Sequence, residues 1–172
     1  GWLPAPLLRQ RRWRDAGRAW QQAHDWQQLS DAALQQQRTR LQGELQHAGL
    51  HGATRWQACA LAAEAARRAT GRQAYRGQHM AALAMLHGCL AEMATGEGKT
   101  LAAALAAGVG ALAGLPVHVF TANDYLVRRD AQALAPFFRL LGLGVGHVCG
   151  GDSSEQRRAA YAQPVTYVTA RE

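Results

Sequence analysis

Gly96, Gly98, Lys99 and Thr100 fall within five consecutive positions of the segment Met93-Ala94-Thr95-Gly96-Glu97-Gly98-Lys99-Thr100. Glycines so placed let backbone N–H groups close around an anion with no Cβ in the way. A lysine adds a compact positive charge for the outer phosphates, and a threonine hydroxyl can ligate Mg²⁺. Residue types and order together describe a phosphate-binding loop. Its expected contact residues are Thr95, Gly96, Glu97, Gly98, Lys99 and Thr100, with Thr100 also the magnesium ligand. Counting G-x-x-x-x-G-K-T back from Gly98 puts Met93 where the strict pattern has glycine, so the loop is a variant.

Composition sharpens this reading. The chain carries 19 Lys plus Arg, and Lys99 is the only lysine among them. Arginine supplies every other cation, yet its wide planar fork is no substitute for an ammonium folded into a tight loop.

Such a loop needs a strand to deliver it and a helix to aim at the anion. The apolar run Cys89-Leu90-Ala91 predicts a strand over 89–92. The alanine-rich stretch 101–112 predicts a helix whose positive end and unpaired N–H groups face the loop. After Pro116 come a strand at 117–121, a helix from Asp124 to about 141, a strand at 145–148, a helix at 153–161 and a strand at 165–169. Strands alternating with helices imply a parallel sheet with right-handed crossovers. Upstream the pattern is helical. Residues 1–8, with Pro4 and Pro6, read as an extended lead-in. A helix at 8–29 carries Trp13, Ala16, Trp20 and Ala23 on one stripe, with arginines at 9, 11, 12, 14 and 18 around it. Its arginines are either a solvated face on a packing helix or a basic amphipathic surface for anionic lipid. Ser30-Asp31 signals the start of a second helix bearing Leu34, Leu41 and Leu45. A third helix, 54–70, presents Leu61, Ala62, Ala65 and Ala69 and stops at Gly71. A short helix follows at 78–86.

At 172 residues and 48% hydrophobic content, the chain can bury a core, and it has no run of about 18 apolar residues of the kind that spans a bilayer. Cys59, Cys89 and Cys149 are far apart and read as reduced thiols of a cytoplasmic protein. A start at Gly1 and an end at Arg171-Glu172 suggest a piece of something longer. Residues 1–76 hold 12 arginines against 5 acidic residues, whereas 77–172 hold 7 of each sign, so the whole net charge of +7 lies in the first part. That asymmetry points to an anionic partner: a membrane surface, nucleic acid or an acidic protein.

Three motifs together resemble one family. Ala91-Glu92-Met93 through Lys99-Thr100, Thr121-Ala122-Asn123-Asp124-Tyr125-Leu126 with Arg129-Asp130, and Arg157-Arg158-Ala159-Ala160-Tyr161 before Val165-Thr166-Tyr167 are similar to SecA, the ATPase motor of bacterial protein export. Leu29-Ser30-Asp31, and Glu64-Ala65 ahead of Arg68 and Gly71, fit the same family, so the resemblance runs over about 29–172. It implies an α/β fold: a basic N-terminal helical segment, residues 1–71, and the first part of an incomplete parallel-sheet, RecA-like P-loop motor fold, residues 72–172. It also implies that Gln78 reads adenine, through an amide that both donates and accepts, and that Tyr75 packs beside the base. Thr121, Asn123 and Asp124 would couple nucleotide state to the moving substrate, or Asn123-Asp124 simply caps the next helix.

The implied cofactors are ATP or ADP and Mg²⁺. The implied partners are a preprotein, a SecY-type membrane channel and an anionic phospholipid surface, with a homodimer possible and no nucleic acid. The protein would be cytoplasmic, held peripherally at the inner face of the cytoplasmic membrane. The family's acidic magnesium motif and second motor domain are not found in these residues, so no complete catalytic site is expected and the isolated fragment should be inactive. Departures from the pattern are Ala94 in place of a basic loop residue, Arg72 in place of an apolar one, and Val168-Thr169-Ala170-Arg171-Glu172 in place of Gly-Thr-Asn-Asn-Glu. Two alternatives stay open, a diverged paralogue with a dedicated substrate or assembly role and a superfamily 2 nucleic-acid helicase module. Asn123-Asp124-Tyr125-Leu126 favours the export family over helicases.

Overall fold

A computed structural model describes residues 5–172. Helix α1 (Ala5–Asp25) runs through a 3-10 turn, Trp26–Gln28, into α2 (Asp31–Ala48), α3 (Gly52–Thr70) and α4 (Arg76–Leu86). Then come α5 (Lys99–Leu112), β1 (Val117–Thr121), α6 (Asp124–Leu140), β2 (Val145–His147), α7 (Ser154–Tyr161) and β3 (Val165–Thr169). Local chemistry sets most boundaries. Ser30 Oγ accepts from Ala33 N at 3.2 Å, opening α2. Gly71, left-handed at φ 70°, closes α3, and Asn123 Oδ1 accepts from Leu126 N at 2.9 Å to open α6. The expected extended lead-in is corrected for residues 5–8, which are helical, with Pro6 in the first turn where its missing N–H does no harm. Residues 1–4 of that lead-in, and the side chains of Arg9 and Arg11, lie outside the described residues.

The sheet is parallel and three-stranded, in the order β1-β3-β2, with Val117 and Val145 flanking Val165. Central β3 is buried along its whole length and its side chains alternate between two cores. Val165 and Tyr167 join the main core with α5 and α6, whereas Val168 packs with Ala160 of α7 and Val148. Gly146 is needed for that second face, since a Cβ there would stand 2.5 Å from Ala160 O. This open α/β sheet is the incomplete RecA-like arrangement expected from the sequence.

One expectation about the strands is corrected. Residues 89–92 form no strand. None of the three strands pairs with them, and Leu90 is 99% exposed, so the apolar run lacks the neighbour that would make it a strand. The stripe Trp13, Ala16, Trp20 and Ala23 of α1 is divided, its alanines packing on the core and its tryptophans standing partly exposed. Ala16 and Ala19 are fully buried there, while Trp13 is 47% and Trp20 37% exposed. Small side chains let α1 approach α3 and α4 closely, and the large rings are left on the flanks. Helix α3 is likewise buried nearly all round from Ala58 to Ala66, because it touches α1, α2, α4, α5 and α6. Within it Glu64, 1% exposed, binds Arg67 and Arg68, and Arg68 continues to Asp31, Trp26 O and Leu29 O, tying α3 to the α1–α2 junction. The three cysteines are free thiols. Among the described residues no helix is long and apolar enough to cross a membrane.

Candidate phosphate loop and base-side groove

The loop is folded by its own polar groups. Gly96 (φ 86°) and Gly98 (φ 79°, ψ 41°) both take the left-handed conformation, which costs other residues about 1–2 kcal/mol. Ala94 O accepts from Glu97 N at 3.3 Å and from Lys99 Nζ at 3.0 Å, while Ala94 N donates to Glu97 Oε2 at 2.7 Å. Gly98 is the N-cap of α5, and the first helical bond runs from Ala102 N to Gly98 O. The N–H groups of Lys99, Thr100 and Leu101 thus have no earlier helical carbonyl to serve. Thr95, Glu97, Lys99 and Thr100 are all exposed. Left-handed glycines, free helix-end N–H groups and an exposed ammonium suit a phosphate, and an exposed Thr100 hydroxyl suits the Mg²⁺ that accompanies it.

Gln78 joins this loop to α4. Its Nε2 donates to Glu97 O at 2.7 Å and its Oε1 accepts from Tyr75 N at 2.7 Å. A side chain at Gly98 would run into Gln78 Nε2. An amide has two N–H donors and two carbonyl lone pairs, so Gln78 keeps one donor and one acceptor unused. Tyr75 is the N-cap residue of α4 and is 66% exposed.

Both residues line a groove of about 650 Å³ that touches the loop at Gly96 and Glu97 and reaches Arg12 and Trp13 on α1. Apolar residues of its lining include Met80, Ala81, Ala84, Leu90 and Met93. Arg76 holds Trp13, with its guanidinium 3.9 Å over the Trp13 ring and Nη2 donating to Trp13 O at 2.9 Å. Arg12, Trp13 and Arg76 were not anticipated as neighbours of the loop. Arg12 and Trp13 lie about 80 residues ahead of the loop and more than 60 ahead of Arg76, and no local spacing joins them. Under the groove, His79 is fully buried, and burial pushes its imidazole down to about 4. Its Nδ1 meets Cys59 Sγ at 3.4 Å, and burial pushes that thiol up to about 12.

The second motif sits at the carboxyl end of β1. Thr121 Oγ1 donates to Asn123 O at 3.4 Å, and Asp124 Oδ2 accepts from Gly150 N at 2.8 Å. Asn123 is a helix cap here, and Asp124 holds the loop after β2. Arg157 pairs with Glu172 and donates to Asp152 O at 3.1 Å, clasping the same edge of the sheet.

The family model for the SecA DEAD-like domain matches residues 8–172. The chain belongs to the SecA family. Among curated proteins it is similar to protein translocase subunit SecA of Mycobacterium avium, 55% identical over 113 residues, which is 66% of this chain and 14% of that protein. It is also similar to protein translocase subunit SecA 2 of Thermobifida fusca, 51% identical over 114 residues, covering 66% of this chain and 15% of that protein. A third relative, SecA 2 of Mycolicibacterium smegmatis, is 51% identical over 113 residues, 66% of this chain and 14% of that protein. The matched stretch therefore spans about one seventh of the length of these SecA relatives. The SecA match takes in α1 as well as the α/β part, in keeping with one core that runs from Ala16 to Tyr167.

Proposed function

We propose that this chain binds ATP and ADP at the loop 95–100 as part of a SecA-type ATPase that drives protein translocation. What carries the reading is the loop itself: Gly98 left-handed at the head of α5, Lys99 Nζ folded onto Ala94 O, and Gln78 tied to Glu97 O. Lys99 would exchange its carbonyl for phosphate oxygens, and the N–H groups of Lys99 and Thr100 would surround the same oxygens. Thr100 would hold Mg²⁺. When bound, the nucleotide supplies the phosphoryl group to be transferred. Gln78 would spend its spare donor and acceptor on the adenine edge, with Tyr75 flanking the base.

In this reading residues 72–172 form the nucleotide-binding part, and residues 1–71 form the basic helical part that faces the membrane. The partners would be a preprotein, a SecY-type channel and anionic phospholipid, at the inner face of the cytoplasmic membrane. Support comes from the translocase names of the relatives and from exposed Arg14, Arg18, Trp13 and Trp20 on α1.

Isothermal titration of the chain with ADP and Mg²⁺ tests the central claim. Wild type should saturate, and Lys99→Ala should bind about ten- to hundredfold more weakly, the loss expected for a hydrogen bond to a charged group. A folded wild type that binds neither ADP nor ATP would overturn it, and so would an unchanged Lys99→Ala.

A further inference from the structure

The far wall of the groove is α1, and Arg12 is the only cation among the described residues that line it. Its Nε is buried without a hydrogen-bond partner. A guanidinium offers five N–H donors and no acceptor, so leaving a buried one unpaired is unfavourable unless something else occupies the adjoining space. Arg76 also has a buried Nε without a partner, but its guanidinium is engaged by the ring and the carbonyl of Trp13 and it stands outside the groove lining. Among the described residues, Arg12 has no such ring or carbonyl contact. The groove meets the loop at Gly96 and Glu97, while Lys99 and Thr100 stand outside its lining. Phosphates seated on Lys99 and Thr100 would therefore leave the base to lie along the groove, over Met80 and Met93, toward α1.

We propose that Arg12 is a nucleotide-binding residue contributed by the N-terminal helix, its flat guanidinium packing on the purine. The proposal rests on the nucleotide reading given above. Guanidinium planes stack on aromatic faces, and every purine has such a face. Apolar lining residues such as Met80, Ala84 and Met93 reduce hydration along the groove, which strengthens the contact. The basic helix would then be a wall of the base site as well as a surface for other partners.

The test is a titration of wild type, Arg12→Gln, Arg12→Lys and Arg14→Gln with ADP and, separately, with inorganic pyrophosphate, which has phosphates and no base. Arg12→Gln should lose about three- to tenfold in ADP affinity and bind pyrophosphate as wild type does. Arg12→Lys keeps the charge but not the plane, so it should show the same selective loss, and it carries the test if Arg12→Gln fails to fold. Arg14, exposed on the same helix, should be replaceable without effect. Unchanged ADP binding in Arg12→Gln, an equal loss for pyrophosphate, or full ADP binding by Arg12→Lys would each overturn the role of Arg12 while leaving the loop reading intact. A wild type that binds neither compound removes both.

Discussion

At the scale of single residues, the loop support that Gln78 gives and the base reading proposed for it can be separated. One donor and one acceptor of its amide hold Glu97 O and Tyr75 N, so it supports the loop whether or not it reads a base. If the spare donor and acceptor recognise adenine, Gln78→Ala should weaken ADP about two- to tenfold more than it weakens GDP, the loss shared by both being that of loop support, since a lost hydrogen bond is worth about 0.5–1.5 kcal/mol. Paired titrations with ADP and GDP read this directly. Equal losses for both bases would assign Gln78 to loop support alone. Lys99→Ala should differ in kind: in the proposed site the ammonium meets phosphate, so its loss should cost both nucleotides equally.

Between elements, the seam of α3 and α4 carries the pair Cys59–His79. Burial depresses His79 to about 4 from an ordinary 6.5, so the folded chain holds it neutral. The unfolded chain takes up a proton as pH falls below about 6.5 and the folded chain does not follow until about 4. The stability contributed by the neutral ring is thus complete above 6.5 and is lost on descending to 4. Over that window the loss should approach about 3 kcal/mol, at 1.36 kcal/mol per pH unit of difference. Thermal unfolding followed between pH 7 and 4 should show a falling midpoint that is flatter in His79→Leu. Parallel slopes in the two proteins would refute the assignment.

For the whole molecule, the charge asymmetry and the packing of α1 must be read together. Ala16 and Ala19 are fully buried against the rest of the chain, so deleting residues 1–28 to test membrane binding would also expose the core. Replacing Arg14 and Arg18, which are exposed, avoids that damage. Arg14→Gln with Arg18→Gln should weaken co-sedimentation with phosphatidylserine vesicles by roughly tenfold or more, at about 1 kcal/mol per arginine near the surface. Added salt should weaken wild type in the same direction. Binding that ignores both changes would make these arginines a solvated face.

Local chemistry was legible in the residue order. The caps Ser30, Gly71 and Asn123 and the glycine turns of the loop 93–100 depend on neighbours a few positions away, and the spacing alone determined them. Pairing and approach belonged to the tertiary structure. An apolar run such as 89–92 becomes a strand only where another strand lies beside it, and none of the three does. Which side of α1 is buried was decided by how closely α3 and α4 could come, which favoured Ala16 and Ala19 over the tryptophans. Arg12 reached the groove because the packing of α1 on α4 brings it near Tyr75 and the loop, across a span of sequence where no periodicity carries information.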